Sequence, residues 1–394
     1  MVTQIKIRQI SKKTKFDLYS SVRYLSAGFS FLTTILMLRV LSAEQFISFH
    51  IAMSCFVILY WFIDLGAIDL VVLAKDDKEL SSKYSSGRTF RYIILSALII
   101  SALYFLVNPL MALIFISVST DYFNDSMITY RSLRNSLRYL AFTLIVRKFI
   151  PMLFLFHSNL FTNQKVFEKF LLVLFLSNVP WIIKDFFSLP FSRKDIFYFD
   201  SKAKFNSLQQ GGNFLQNLDL PLLNLLSFST IIPAYVLGKK LLQIGSVYGQ
   251  FQIPRIMDVN LAVTQTHAVR KEIYLNYKLS LVMSSFVIFF TEVVARKFML
   301  VNLGSEDRIM AYSCLLISSL SILTMQQNAL LKALHDFRSL FISTFLSTLI
   351  YLLSIVFLMS LWNQKYFFLM CILLNLGAEL LFQELALVKS NKNE

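Results

Sequence analysis

The apolar residues of this chain come in runs of about 20, separated by short polar turns, almost from end to end. The opening pair sets the pattern. From Tyr24 to Leu41 the chain is apolar apart from small residues and Arg39, the turn Ser42-Ala43-Glu44-Gln45 follows, and Phe46 to Ile63 is apolar again. A helix rising about 1.5 Å per residue needs roughly 20 residues to cross a hydrocarbon core, and each run supplies them. Inside lipid a spanning segment must satisfy its own backbone, so the pair is predicted to be a transmembrane helical hairpin.

Further runs predict a third helix over about 92–115 with Asn108-Pro109 near its outer end, a fifth over 149–163 and a sixth over 168–189. Those beyond the midpoint predict a ninth over 276–300, a tenth over 309–331, an eleventh over 339–360 and a twelfth over 364–387. Residues 121–147 are too polar to score as a span. Both chain ends are basic, and Lys and Arg favour the cytoplasmic side, so the number of crossings should be even. A tilted fourth helix over 122–145 restores that parity and puts Arg147-Lys148 at a cytoplasmic turn.

Composition agrees with this pattern. The 394 residues are 56% hydrophobic and 15% charged, against roughly 25% charged in a soluble chain. The prediction is an all-α polytopic integral membrane protein of about 12 transmembrane helices in two six-helix bundles, with no room for a soluble catalytic domain. Residues 1–190 form the N-terminal bundle, the basic stretch 191–205 a cytoplasmic linker, and 206–394 the C-terminal bundle. The net charge of +15 sits in the short loops, as the positive-inside bias requires, and nucleic acid is not an expected partner. Cys55, Cys314 and Cys371 all lie within apolar runs and read as small hydrophobes.

Several turns resemble those of Wzx-type polysaccharide flippases, in the multidrug, oligosaccharidyl-lipid and polysaccharide exporter superfamily that also holds the MATE transporters. Leu38-Arg39-Val40-Leu41-Ser42-Ala43-Glu44-Gln45-Phe46 is similar to the family turn LxRxLsxeeyG, with Ile47 in place of its glycine. Asp64-Leu65-Gly66 resembles the aDlGl that closes the second helix. The stretch from Asp219 to Tyr235 resembles the turn between helices seven and eight, and it repeats the opening hairpin at an offset of about 185 residues. Internal repeats of this kind are common in transporters. Leu303-Gly304-Ser305-Glu306-Asp307 and Leu331 to Arg338 resemble later turns, with His335 in a glycine's place.

The resemblance implies a multi-pass protein of the bacterial inner membrane, working in O-antigen and lipopolysaccharide biosynthesis. It would translocate oligosaccharide units linked to undecaprenyl pyrophosphate by alternating access. The lipid-linked oligosaccharide and membrane lipids would be its partners, and a polymerase and a chain-length regulator of the same pathway are further candidates. A polytopic O-antigen polymerase or glycosyltransferase is an alternative, although no long hydrophilic external loop is present. A cation-coupled drug exporter of the same superfamily is another.

Ionisable side chains within spans are costly and mark cavities. Arg131, Arg134 and Arg138 are spaced to share one face if 122–145 is one helix. Such a stripe would line a cavity and fork onto phosphate oxygens, and a surface-lying amphipathic helix is the structural alternative. Arg23 either points into the cavity or snorkels to the interface. Asp64 either contacts substrate, fixes a helix end or pairs with a basic neighbour, and Asp219 sits inside the seventh helix as a cavity or inter-helix group. There is no phosphate-binding GxxxxGK[ST] loop, and His50, His157, His267 and His335 lack ligand spacing. No catalytic group, metal or cofactor is therefore expected, and the chain is not expected to be an enzyme.

Overall fold

The computed structural model describes residues 25–64, 67, 77–127, 137–160, 165–188, 207, 216–225, 232–233, 235–240, 256, 266–290, 305–334, 336–361 and 367–391. Among them there is no strand. Among the described residues twelve helices of six or more residues follow one another: α1 (Leu25–Val40), α2 (Ala43–Asp64), α3 (Lys78–Leu106), α4 (Pro109–Ser126), α5 (Leu137–Leu160), α6 (Val166–Ser188), α7 (Asp219–Leu225), α8 (235–240), α9 (Thr266–Phe290), α10 (Ser305–Ala333), α11 (Phe337–Leu361) and α12 (Phe367–Asn391). Seven of these contain stretches long and apolar enough to cross a membrane. This is the all-α polytopic membrane fold the hydropathy pattern predicted. The linker placed at 191–205 lies outside the described residues.

The turn between α1 and α2 falls where expected and is fixed locally. Ser42 N donates to Gln45 Oε1 and Gln45 N donates to Ser42 Oγ, both at 3.2 Å. The reciprocal pair satisfies two donors that the first turn of α2 would otherwise leave open.

The boundaries around the third, fourth and fifth helices need correction. Asn108-Pro109 does not sit inside a helix running to 115; α3 ends at Leu106, and Asn108 caps the start of α4. Its Oδ1 accepts from Leu110 N at 2.7 Å, and Pro109 takes the first helical position, where a missing N–H costs nothing. The fourth helix ends at Ser126, with Met127 as its cap, and the fifth begins at Leu137. Within the segment 121–147, residues 121–126 are therefore the end of one helix and 137–147 the first half of another, and 128–136 lie outside the described residues. Hydropathy failed there because the charged residues of α4 and α5 neutralise each other inside the protein. The ninth helix, predicted over 276–300, starts earlier, at Thr266, and so includes Arg270 and Lys271.

Helices α2 to α6 pack as one group, α4 lying against α2, α3 and α6, and α5 against α6. Helices α9 to α12 form another, with α9 on α10, α10 on α12 and α11 on α12. Between them, α7 and the 3-10 turn before it (Gln216–Leu218) lie against α2. One apolar core runs through this junction, from Phe46, Phe56 and Phe115 across to Leu220, Tyr235, Ile317 and Ile355. Trp61 Nε1 adds a polar tie near the end of α2, donating to Ser207 O at 2.7 Å. Gly238 in α8 approaches α10 so closely that an added Cβ would stand 2.8 Å from Cys314 Sγ.

Candidate functional site

A cavity of about 290 Å³ lies where the two groups of helices meet. The first half contributes His50, Met53, Ser54 and Val57 from α2 and Tyr122 from α4. The second half contributes Asn217, Leu220, Val236, Lys239 and Lys240. No carboxylate is among the described residues that line it. A second cavity of about 50 Å³ adjoins it, sharing His50, Met53 and Lys240, and is lined also by Asp121, Arg147 and Lys148.

The charges around the smaller cavity are set by helical spacing. Asp121 and Asp125 are one turn apart on α4 and so share a face. Arg147 and Lys148, near the middle of α5, meet them: Arg147 Nη2 donates to Asp125 Oδ1 at 2.9 Å, and Lys148 Nζ donates to Asp121 Oδ2 at 2.7 Å and Asp125 Oδ2 at 2.9 Å. Arg147 Nε donates to Asn178 Oδ1 on α6 at 2.5 Å, and Asn178 O accepts from Asn124 Nδ2 at 2.9 Å. Two cations and two carboxylates thus balance within α4–α6, which is what lets them stay inside a bundle. Arg147-Lys148 is not a cytoplasmic turn, as parity had suggested; it is an interior cluster.

Asp219 opens α7 and is fully buried. Its carboxylate forms an ion pair with Lys239 and accepts from Tyr235 Oη and from Tyr351 Oη, the latter at 3.2 Å. Its Oδ1 also accepts from Leu220 N at 2.7 Å. Asp219 lies behind the cavity wall, and Lys239 is the group through which it meets the cavity. Lys240, next to it, makes no hydrogen bond or ion pair with another described residue, and it lines both cavities.

Asp64 lies at the end of α2 and lines neither cavity. Arg88 Nε stands 3.2 Å from its Oδ1, and Arg91 donates to Ile63 O at 2.7 Å and to Asp64 O at 3.2 Å. These cations meet the open carbonyls at the C-terminus of α2, where the helix dipole favours positive charge. Arg88 is enclosed further by Tyr60 and Phe123, whose ring centroids are 5.8 and 5.4 Å from its guanidinium carbon. Asp64 thus holds a helix end in this structure. Arg23, Arg131 and Arg134 lie outside the described residues, as does the side chain of Arg138. The continuous helix over 122–145 on which the arginine stripe depended is interrupted after Ser126.

Sequence reasoning missed Lys239 and Lys240 and gave His50 no role. A signal was present: a histidine in the middle of an apolar run, and a lysine pair about one helical turn beyond Tyr235. A second polar network, away from the cavities, joins α9, α10 and α12. Glu384 accepts from Arg270 at 2.6 Å, Tyr274 at 2.7 Å and Gln327 at 2.5 Å. Glu379 accepts from Asn328 at 2.9 Å and Gln383 at 3.1 Å.

No family model and no curated protein matches this chain. Solved structures do. The MATE multidrug transporter DinF-BH superposes with a TM-score of 0.68 at 13% identity, covering 96% of this chain and 94% of that one. A MATE protein solved in complex with MaL6 gives 0.68 at 12% identity, over 96% and 97% of the two chains. A MOP-superfamily transporter from Pyrococcus furiosus, described as having a binding pocket of reverse polarity, gives 0.59 at 11% identity over 95% of both. The chain therefore has the fold of the MATE transporters, over nearly its whole length.

Proposed function

We propose that this chain is a flippase that moves lipid-linked oligosaccharide, built on undecaprenyl pyrophosphate, across the bacterial inner membrane by alternating access. The observation that carries this reading is the cavity between the two halves, which presents Lys239 and Lys240 and no carboxylate among its described lining residues. In a low-dielectric interior such a cavity attracts an anionic head group and disfavours a lipophilic cation. The fold supports transport, since it is shared with MATE transporters, and the basic cavity turns the substrate from cationic drug to anionic lipid head.

The residues divide the work. Lys239 and Lys240 meet the pyrophosphate, while Asp219, Tyr235 and Tyr351 fix Lys239 from behind. The balanced square of Asp121, Asp125, Arg147 and Lys148 keeps the first half rigid beside the cavity. The polyprenyl tail stays in the bilayer, so only the polar head must be carried between the halves as they rock.

The deciding experiment is translocation of a fluorescent undecaprenyl-pyrophosphate oligosaccharide in proteoliposomes containing the purified chain. Protein-dependent loss of fluorophore accessibility at one leaflet is the expected result, with Lys240→Met reducing the rate at equal protein levels. Absence of translocation, with export of a cationic dye by the same vesicles, would replace the flippase by a drug exporter.

A further inference from the structure

Away from both cavities, the first half carries an aromatic cluster with a cation seated on it. The cluster lies where the start of α5 meets the end of α6. Trp181 of α6 meets Tyr139 and Phe142 of α5 edge-on, with ring centroids 5.8 and 6.1 Å away. Its Nε1 donates to Ser177 O at 3.1 Å, one turn back on the same helix, which holds the indole plane. Lys184 Nζ stands 3.6 Å from the centroid of the Tyr139 ring. The negative face of that ring keeps the ammonium at this surface.

Lys184 is exposed and makes no ion pair with another described residue. Asp185, beside it in sequence, is buried and does not share the surface. An ammonium has three N–H donors, and those turned away from the Tyr139 ring are open to a second partner. Polarity also changes with depth. Lys184 and Tyr139 lie nearest the helix ends, and Trp181 and Phe142 follow about one turn further in. Phe142 is 60% exposed there. Cation first and apolar surface beneath it matches a phospholipid, phosphate first and acyl chain after.

The sequence on either side adds charge of the same sign. Arg131 and Arg134 precede α5, and Arg193 and Lys194, opposed by Asp195, follow α6. The positive-inside bias puts this end on the cytoplasmic side, where the leaflet's anionic lipids attract basic residues. A soluble acidic partner fits less well, because the exposed Phe142 ring lies below the helix ends.

We infer that Lys184, seated on Tyr139 and flanked by Trp181 and Phe142, binds the phosphate of an anionic glycerophospholipid from the surrounding bilayer. The ammonium donates to the phosphate oxygens, and an acyl chain runs along Phe142. The lipid joins α5 to α6, the helices whose buried faces carry Arg147 and Asn178. The site is independent of what the cavity carries, so it stands or falls apart from the flippase reading.

The test uses the full chain with Trp61→Phe and Trp362→Phe, which leaves Trp181 as its one tryptophan. In phosphatidylcholine vesicles, brominated phosphatidylglycerol or brominated phosphatidylcholine is added at equal mole fraction, and quenching of Trp181 reports which lipid sits against it. Phosphatidylglycerol is expected to be favoured about fivefold, the scale of one basic residue at a charged surface. Lys184→Met should abolish the preference and Lys184→Arg should keep it. Lys169→Met, at the other end of α6, removes the same charge and should leave the preference intact. Equal quenching by the two lipids, a preference unchanged in Lys184→Met, or the same loss in Lys169→Met overturns the site. Loss of the preference on adding glycerol phosphate makes a soluble anion the occupant and overturns it too. Native mass spectrometry gives a second reading without the tryptophan changes: Lys184→Met should retain fewer phosphatidylglycerol molecules than wild type, and an equal number overturns the site.

Discussion

Lys239 has two tasks that a single substitution would confuse. It faces the cavity and it neutralises Asp219, which is fully buried. Removing one member of a buried pair leaves an uncompensated charge and costs about 3–5 kcal/mol. Lys239→Met is therefore expected to lower thermal stability sharply, and adding Asp219→Asn should recover most of the loss. Transport in that double variant then reports the cavity role alone; if it does not regain stability, the ion pair is not what holds α7 and α8 together. Asp64 obeys the same logic at the end of α2. Asp64→Asn should destabilise by about 3–5 kcal/mol because Arg88 stays buried at 1% side-chain exposure, and Arg88→Met should relieve part of it. A denaturation series on Asp64→Asn, Arg88→Met and the double variant checks both directions.

At the scale of elements, α8 and α10 approach closely at Gly238. An Ala Cβ at position 238 would overlap Cys314 Sγ at 2.8 Å, and overpacking of this kind costs about 1–3 kcal/mol. Against that, Ala is the better helix former by about 1 kcal/mol. Gly238→Ala is thus expected to destabilise the wild-type background and to stabilise one carrying Cys314→Ala. A double-mutant cycle with coupling below about 0.5 kcal/mol would show that α8 and α10 are not in this contact. The start of α4 gives a second check. Asn108→Ala removes the cap of that helix and should cost about 1 kcal/mol. A single cysteine at 108 should react with impermeant reagents from one side only, as a turn between helices does.

For the whole molecule, the alternating access proposed above requires the halves to move relative to each other across the cavity. Met53 on α2 and Val236 on α8 line that cavity from opposite halves. In a variant without native cysteines, Met53→Cys with Val236→Cys joined by a short thiol cross-linker should stop translocation, and a cleavable linker should restore it on reduction. Undiminished transport in the cross-linked protein would mean that the halves do not separate at this seam.

The sequence by itself determined the all-α class, the membrane environment and most helix positions, because these depend on local apolar length, which lipid enforces residue by residue. It also determined the turn at Ser42, where Ser42 and Gln45 cap α2 within four residues of chain. It misread 121–147 for a physical reason. The acidity of Asp121 and Asp125 is cancelled by Arg147 and Lys148 from another helix, and a one-dimensional hydropathy window cannot see a partner more than 20 residues away. It placed Asp219 inside the seventh helix and left its role between cavity and inter-helix contact. Only the tertiary structure decided that Asp219 lies behind Lys239, that Asp64 serves a helix end, and that His50 and Lys240, from the two halves of the chain, line the same cavities. Those pairings are long-range, and they exist only once packing brings α2, α5, α7 and α8 together.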